Sequence, residues 1–240
     1  MKFCSHKQLT FFLSLVFILS VFLFQCKPED KKDDSVLSLL LGTGAVATVA
    51  GGTTTPSTSD SKLRVFVTAA TYSGNLGGIN GADTKCGADA NKPSTGTYKA
   101  LLTGNSGANG VRYACFSDNA TNCPDNPAAG TKNWVLQASK NYYRVDQATL
   151  VFTTNANSLI ATIPTAVQAA AASYWSGFVP ASATNWSLNV MCGGATTAWS
   201  DGTLGSNGTT GISTATTIAD IKGNNIPGCD QLRNLLCVEQ

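Results

Sequence analysis

Histidine is all but missing from this chain of 240 residues: there is one, His6. Charge is sparse too, with Asp, Glu, Lys and Arg making up 12% of the residues against 43% hydrophobic. His6 lies in an N-terminal segment that reads as an export signal, so the rest of the chain has no imidazole. That removes the commonest general base, the Ser-His and Cys-His nucleophile pairs, and any His-ligated metal. A Gly-rich phosphate loop ending in Lys is also absent. Ser59-Asp60-Ser61-Lys62 matches Ser-x-x-Lys but falls in a linker. Only paired carboxylates, for example Asp146 with Asp201, are left open to the fold. Removing residues 1–25 takes Lys2 and Lys7 from the 16 Lys and Arg, leaving 14 basic against 14 acidic residues. A neutral chain without a basic cluster gives no electrostatic ground for nucleic-acid binding. The chain is therefore not expected to be an enzyme or to bind nucleic acid.

What is present begins with an address. Lys2 and Lys7 precede an almost wholly apolar run over residues 9–25, and Cys26 follows directly. A basic start, an apolar stretch and a cysteine after it form a lipoprotein export signal, with cleavage before Cys26 and acylation of its thiol and amine. Gln25 stands where a small residue is usual. Residues 27–34 are a charge run beside the lipid. The segment 35–50 is too short and too broken by glycine to cross a membrane again. Gly51 to Ser61, rich in Thr and Ser, is a tether. The predicted organisation is 1–25 signal peptide, 26–61 lipidated Cys26 and tether, and 62–240 one folded domain, long enough for a single core.

Within that domain the sequence predicts one main helix. Ile79, Ala82, Cys86 and Ala90 recur at helical spacing, Asn80 is placed to cap, Asp83 follows three residues later, and Pro93 stops the run. Leu63–Thr68 and Tyr98–Thr103 read as strands. So do Trp134–Leu136, Tyr142–Val145, Leu150–Phe152 and the closing Leu232–Val238. Ala166 to Ala172 reads as a short helix, and Trp186–Cys192 as extended. Gly104–Gly110 and Gly193–Gly211 read as loops. Charge-poor long loops with little helix call for covalent support. Six cysteines remain after Cys26: Cys86, Cys115, Cys123, Cys192, Cys229 and Cys237. In an exported chain they imply disulfides with fifteen possible connectivities. Proximity favours Cys115–Cys123. Joining Cys86 to Cys237 would tie the helix to the last strand and constrain the unfolded chain most, but spacing does not choose the remaining pairs.

Gly78-Ile-Asn-Gly-Ala-Asp-Thr-Lys-Cys86 followed by Gly96-Thr-Tyr-Lys-Ala-Leu-Leu102 resembles the endostatin domain of basement-membrane collagens. Trp175-Ser-Gly177, Cys192, Trp199, Cys229 and Leu235-Leu-Cys-Val-Glu239 extend the likeness over Leu63 to Glu239. With the lipoprotein signal, the chain resembles the leptospiral endostatin-like lipoproteins. The resemblance implies an α+β, C-type-lectin-like fold: a mixed, mostly antiparallel sheet with one main helix and long loops. It also implies nested disulfides, Cys86–Cys237 outside and Cys192–Cys229 inside. Endostatin's zinc site uses histidines and is not carried over. Its heparin site is Arg-rich, whereas Arg64, Arg112, Arg144 and Arg233 are widely spaced here.

The partners so implied are host extracellular-matrix proteins (laminin, fibronectin) and complement factor H, with the chain held at the outer membrane and cell surface by its lipid. A glycan-binding envelope lectin and a structural lipoprotein facing the periplasm are the alternatives. Tyr142, Tyr143, Phe178 and Trp186, flanked by Asn, Ser and Thr, are the candidate ligand surface, while Trp175 and Trp199 are assigned to the core. No cofactor is expected. Calcium alone has candidate ligands, in Asp118, Asn119, Asn122, Asp125 and Asn126 and in Asp201 of Trp199-Ser-Asp-Gly202. Asx-rich turns explain the same residues.

Overall fold

The computed structural model describes residues 62–105, 110–115, 131, 133–194 and 196–240. The chain divides at Pro56/Ser57 into two units, and every described residue falls in the second. Its elements in order are β1 (Leu63–Val67), α1 (Gly78–Ala88), β2 (Tyr98–Ala100), β3 (Gly104–Asn105), β4 (Val111–Arg112) and β5 (Asn141–Tyr143). They continue with β6 (Leu150–Thr154), β7 (Ile160–Thr162), β8 (Ser173–Trp175), β9 (Thr210–Ile212), α2 (Ile218–Lys222) and β10 (Asn234–Glu239).

All five residues of β1 are buried, which places it in the middle of a sheet covered on both faces. Successive side chains on a strand point to opposite faces. Leu63, Val65 and Val67 accordingly enter one core with Tyr142, Phe152, Phe178 and Trp186. Phe66 enters another with Ile79, Ala82, Trp175 and Trp199. β10 divides the same way, Leu236 and Val238 to the first core and Leu235 and Cys237 to the second. Among the described residues the main sheet has eight strands in the order β7–β6–β5–β1–β10–β8–β9, with β2 also joined to β10. β1 runs antiparallel to β10, Phe66 opposite Cys237, and parallel to β5. The other edge of β10 is shared: β8 takes Asn234 and Leu235 in parallel, and β2 takes Cys237 to Glu239 antiparallel. The fold is α+β, mostly sheet with one main helix.

Helix α1 lies where the periodicity puts it, with Ile79, Ala82 and Cys86 buried. Its ends differ from expectation. The N-cap is Gly77 in the left-handed region (φ 78°), and no side chain caps there, so Asn80 does not. At the other end Asp89, not Ala90, turns inward. Its carboxylate accepts hydrogen bonds from the Ala69 N–H (2.9 Å), the Ala70 N–H (3.2 Å) and the Asn91 N–H (2.9 Å). That fixes the loop after β1 against the end of the helix. Asp83 faces Arg112, whose Nη1 and Nη2 donate to its two oxygens at 2.9 and 2.6 Å. The helix is thereby held to β4.

Ala166 to Ala172 is not helical. So short an Ala-rich run does not nucleate alone, and its backbone groups are taken elsewhere. Arg144 holds the Ala166 carbonyl through Nε and Nη2, Gln168 N–H donates to Ser213 O, and Ala172 N–H donates to Ser213 Oγ. Trp134–Leu136 and most of Trp186–Cys192 form no strand, the latter contributing only the bridge Phe178↔Leu188. The region read as loop after Thr103 instead carries the small hairpin-like pair β3–β4.

Two disulfides close this framework. Cys86 Cα and Cys237 Cα are 5.7 Å apart across a separation of 151 residues, and Cys192 and Cys229 are bridged at the same Cα distance across 37. Cys115 is buried and disulfide-bonded; Cys123 and Cys26 lie outside the described residues. Gly74 passes against the second bridge. Its N–H donates to Cys229 O at 2.7 Å, and a Cβ there would stand 2.1 Å from Cys192 Sγ.

Candidate functional site

The four aromatics expected on a ligand surface are mostly core. Tyr142 is fully buried, stacked on Phe152 with ring centroids 4.7 Å apart, and its hydroxyl accepts the Gln137 N–H at 2.9 Å. Burial pushes its phenol up to about 12. Phe178 and Trp186 are buried and pack edge-to-face on each other (5.5 Å) and on Trp134 (5.9 and 6.2 Å). Only Tyr143 is partly exposed, with Lys62 Nζ 5.1 Å from its ring centroid. The polar neighbours that suggested exposure serve the turns that aim these rings inward: Asn185 Oδ1 accepts from both the N–H and the hydroxyl of Ser187. Trp175 and Trp199 are core as expected. Their indoles donate to Tyr72 O (2.9 Å) and Thr103 O (2.8 Å).

The carboxylates are likewise engaged in structure. Glu239 holds Arg64 through Nη2 at 2.5 Å and Nε at 2.7 Å, while Asp83 and Asp89 have the partners given above. Asp146 accepts from Ala148 N–H, Thr149 N–H and the Thr149 hydroxyl, and Asp201 from Thr203 N–H. These local bonds hold both carboxyls below the usual carboxylate range, and each behaves as an Asx turn rather than as half of a catalytic pair. Asp118, Asn119, Asn122, Asp125 and Asn126 lie outside the described residues. Among the described residues no three His, Cys, Asp or Glu gather as a metal site.

Two features were not singled out from the sequence. Lys222, at the end of α2, is 1% exposed. Its Nζ donates to Asn185 O at 2.6 Å and lies 4.5 Å from the Trp186 ring centroid. Burial lowers its ammonium to about 7. A lone lysine between Asp220-Ile221 and Gly223-Asn224 gave no sign of this.

The second is a cleft of about 270 Å³ beside the central strand, lined by Val65, Val67, Asn91, Arg144, Val145 and Val167 among others. It exists because β5 leaves β1 early. Their pairing is confined to Leu63↔Tyr142 and Arg64↔Tyr143, after which the Arg144 N–H turns away to Thr149 O at 2.9 Å. The Val65–Val67 stretch of β1, itself buried, then forms the floor of the cleft on that side. Asn91 Nδ2 reaches the Val67 carbonyl from there at 2.9 Å. Val145 on the rim is 50% exposed.

This is a disulfide-closed α+β domain with an open cleft beside its central strand and no assembled set of reactive side chains among its described residues. The chain belongs to the family described as Protein of unknown function (DUF1554), whose model matches residues 69–216. That span holds α1, Cys86, Cys192, Arg144 and Val145, and leaves β1 and β10 to either side of it. No curated protein matches the chain.

Proposed function

We propose that this chain is a lipid-anchored lipoprotein displaying an endostatin-like, C-type-lectin-like binding domain at the outer-membrane surface, where it adheres to host extracellular-matrix proteins and to complement factor H. The observation that carries the reading is an open cleft on a covalently closed scaffold whose buried carboxylates already hold structural partners. Such a body offers places to hold another molecule without a group arrangement suited to breaking bonds. Supporting it further are the signal-like residues 1–26 and the motifs from Gly78 to Glu239 that resemble those of endostatin. Function carried through such a likeness is an analogy, and it stands or falls on binding.

The test is solid-phase binding of the purified protein to laminin, fibronectin and factor H, with protease shaving of intact cells beside it. Saturable binding to at least one, and removal of the domain from unbroken cells, is the expected result. No saturable binding to any of the three sinks the adhesion reading. Protection until the outer membrane is opened sinks the surface address. A glycan array run with calcium and with chelator tests the lectin alternative.

A further inference from the structure

The side chains lining the cleft carry polar groups that the fold leaves unspent. Asn91 gives Nδ2 to Val67 O and its N–H to Asp89 Oδ1, while its own Oδ1 accepts from no described group. Gln168 gives Nε2 to Ala170 O and its N–H to Ser213 O, and its Oε1 is likewise unused. Arg144 directs Nε and Nη2 to the single carbonyl of Ala166, and its Nη1 donates to no described acceptor. All three residues line the cleft and are reached by solvent, so a ligand can take the place of water on them.

Charge and size narrow what that ligand is. Arg144 is the only charged residue lining the cleft, and it belongs to neither of the described ion pairs. Asp146, the acid it attracts through space, is exposed and engaged by Ala148 and Thr149. The cleft therefore favours an anionic group. One guanidinium suits one carboxylate, whereas a phosphate would be short of donors. The two amide oxygens call for N–H donors on the same molecule. The remaining wall is largely aliphatic, with Val145 on the rim, Val167 buried, and Ala169 exposed. At about 30 Å³ for each water of the liquid, a volume near 270 Å³ holds on the order of nine heavy atoms. That is too little for a nucleotide or a glycan chain.

We infer that the cleft binds a free aliphatic α-amino acid of leucine's size. Its carboxylate accepts from Arg144, its ammonium donates to Asn91 Oδ1 and Gln168 Oε1, and its side chain lies against Val145 and Val167. Few polar groups fixing orientation within an apolar wall is the usual make-up of a small-molecule site. The inference goes beyond the adhesion reading and does not depend on it.

The probe is radiolabelled L-leucine in equilibrium dialysis against the full-length protein in detergent, with detergent alone as the blank. Saturable binding with a Kd of about 1 mM or tighter is expected. Leucinamide, which lacks the carboxylate, and isocaproate, which lacks the ammonium, should each compete at least about tenfold more weakly. L-Lysine and L-aspartate, with charged side chains against the aliphatic wall, should not compete. Arg144→Gln should weaken leucine binding by at least about tenfold. Because Arg144 also holds Ala166 O, Ala169→Trp serves as the second variant. Ala169 is exposed, so an indole there fills the cleft without entering the core. Binding should again fall by at least about tenfold, with the urea midpoint unchanged. No saturation up to about 5 mM leucine, equal competition by leucinamide, or binding unaltered in both variants overturns the inference.

Discussion

The ammonium of Lys222 is the residue on which pH should act most directly. Taking a charge out of water without a counter-ion favours its neutral form, and burial sets this one at about 7 against an ordinary 10.5. Between those values the unfolded chain holds the proton and the folded chain does not. Stability therefore rises as pH climbs from about 7 toward 10.5, and below about 7 this lysine makes its least favourable contribution. Urea unfolding followed from neutral to alkaline pH should show that rise, and Lys222→Met should remove it while raising stability on the acid side. An unchanged slope in the variant would assign it elsewhere. Sequence reasoning failed at the same residues. Trp186, Phe178 and Tyr142 sit among Ser, Asn and Thr, and those neighbours suggested a wet surface. Polar residues that bond their own turns say nothing about which way an adjacent ring points, as Asn185 and Ser187 show beside Trp186.

At the scale of elements, α1, β1 and β10 were legible because helical spacing in one case, and dense β-branched and aliphatic runs in the others, survive without tertiary help. Helix α2 had a readable start as well. Thr217 Oγ1 accepts the Asp220 N–H, a Thr-x-x-Asp cap written in the sequence and passed over. The Ala166–Ala172 run misled because helix propensity is a weak prior once side chains such as Arg144 and Ser213 claim the backbone. The cleft was illegible for a related reason: it depends on where β5 turns off, and nothing local to Val65–Val67 reports that. The two bridges allow a graded comparison. In the chain-entropy picture, closing 151 residues stabilises by about 5 kcal/mol and closing 37 by about 4 kcal/mol, before strain is subtracted. Replacing both Cys86 and Cys237 by Ser should thus lower the urea midpoint more than replacing Cys192 and Cys229. The reverse order would mean that packing around Gly74 and the inner bridge, not loop closure, dominates.

Taken whole, residues 26–240 are close to electroneutral, with 14 basic against 14 acidic residues, and the described ion pairs, Arg64–Glu239 and Arg112–Asp83, are turned inward. Adhesion through such a surface should change little between roughly 0.05 and 0.3 M NaCl, a range over which the screening length shortens markedly. Solid-phase titrations at both ends of the range check it. A collapse of binding at the higher salt would point to steering by charge, which this composition does not supply.

β10 has a consequence for how the protein is made. It supplies an edge to β1, β2 and β8, and the partner cysteine to α1, yet it comes after all of them in the chain. A ribosome delivering the polypeptide in order leaves those segments without their neighbour until the last strand is out. The hairpin-like runs β5–β6–β7 and β8–β9 can pair earlier, but the two cannot be joined into one sheet, nor α1 stapled to it, until the final strand has emerged.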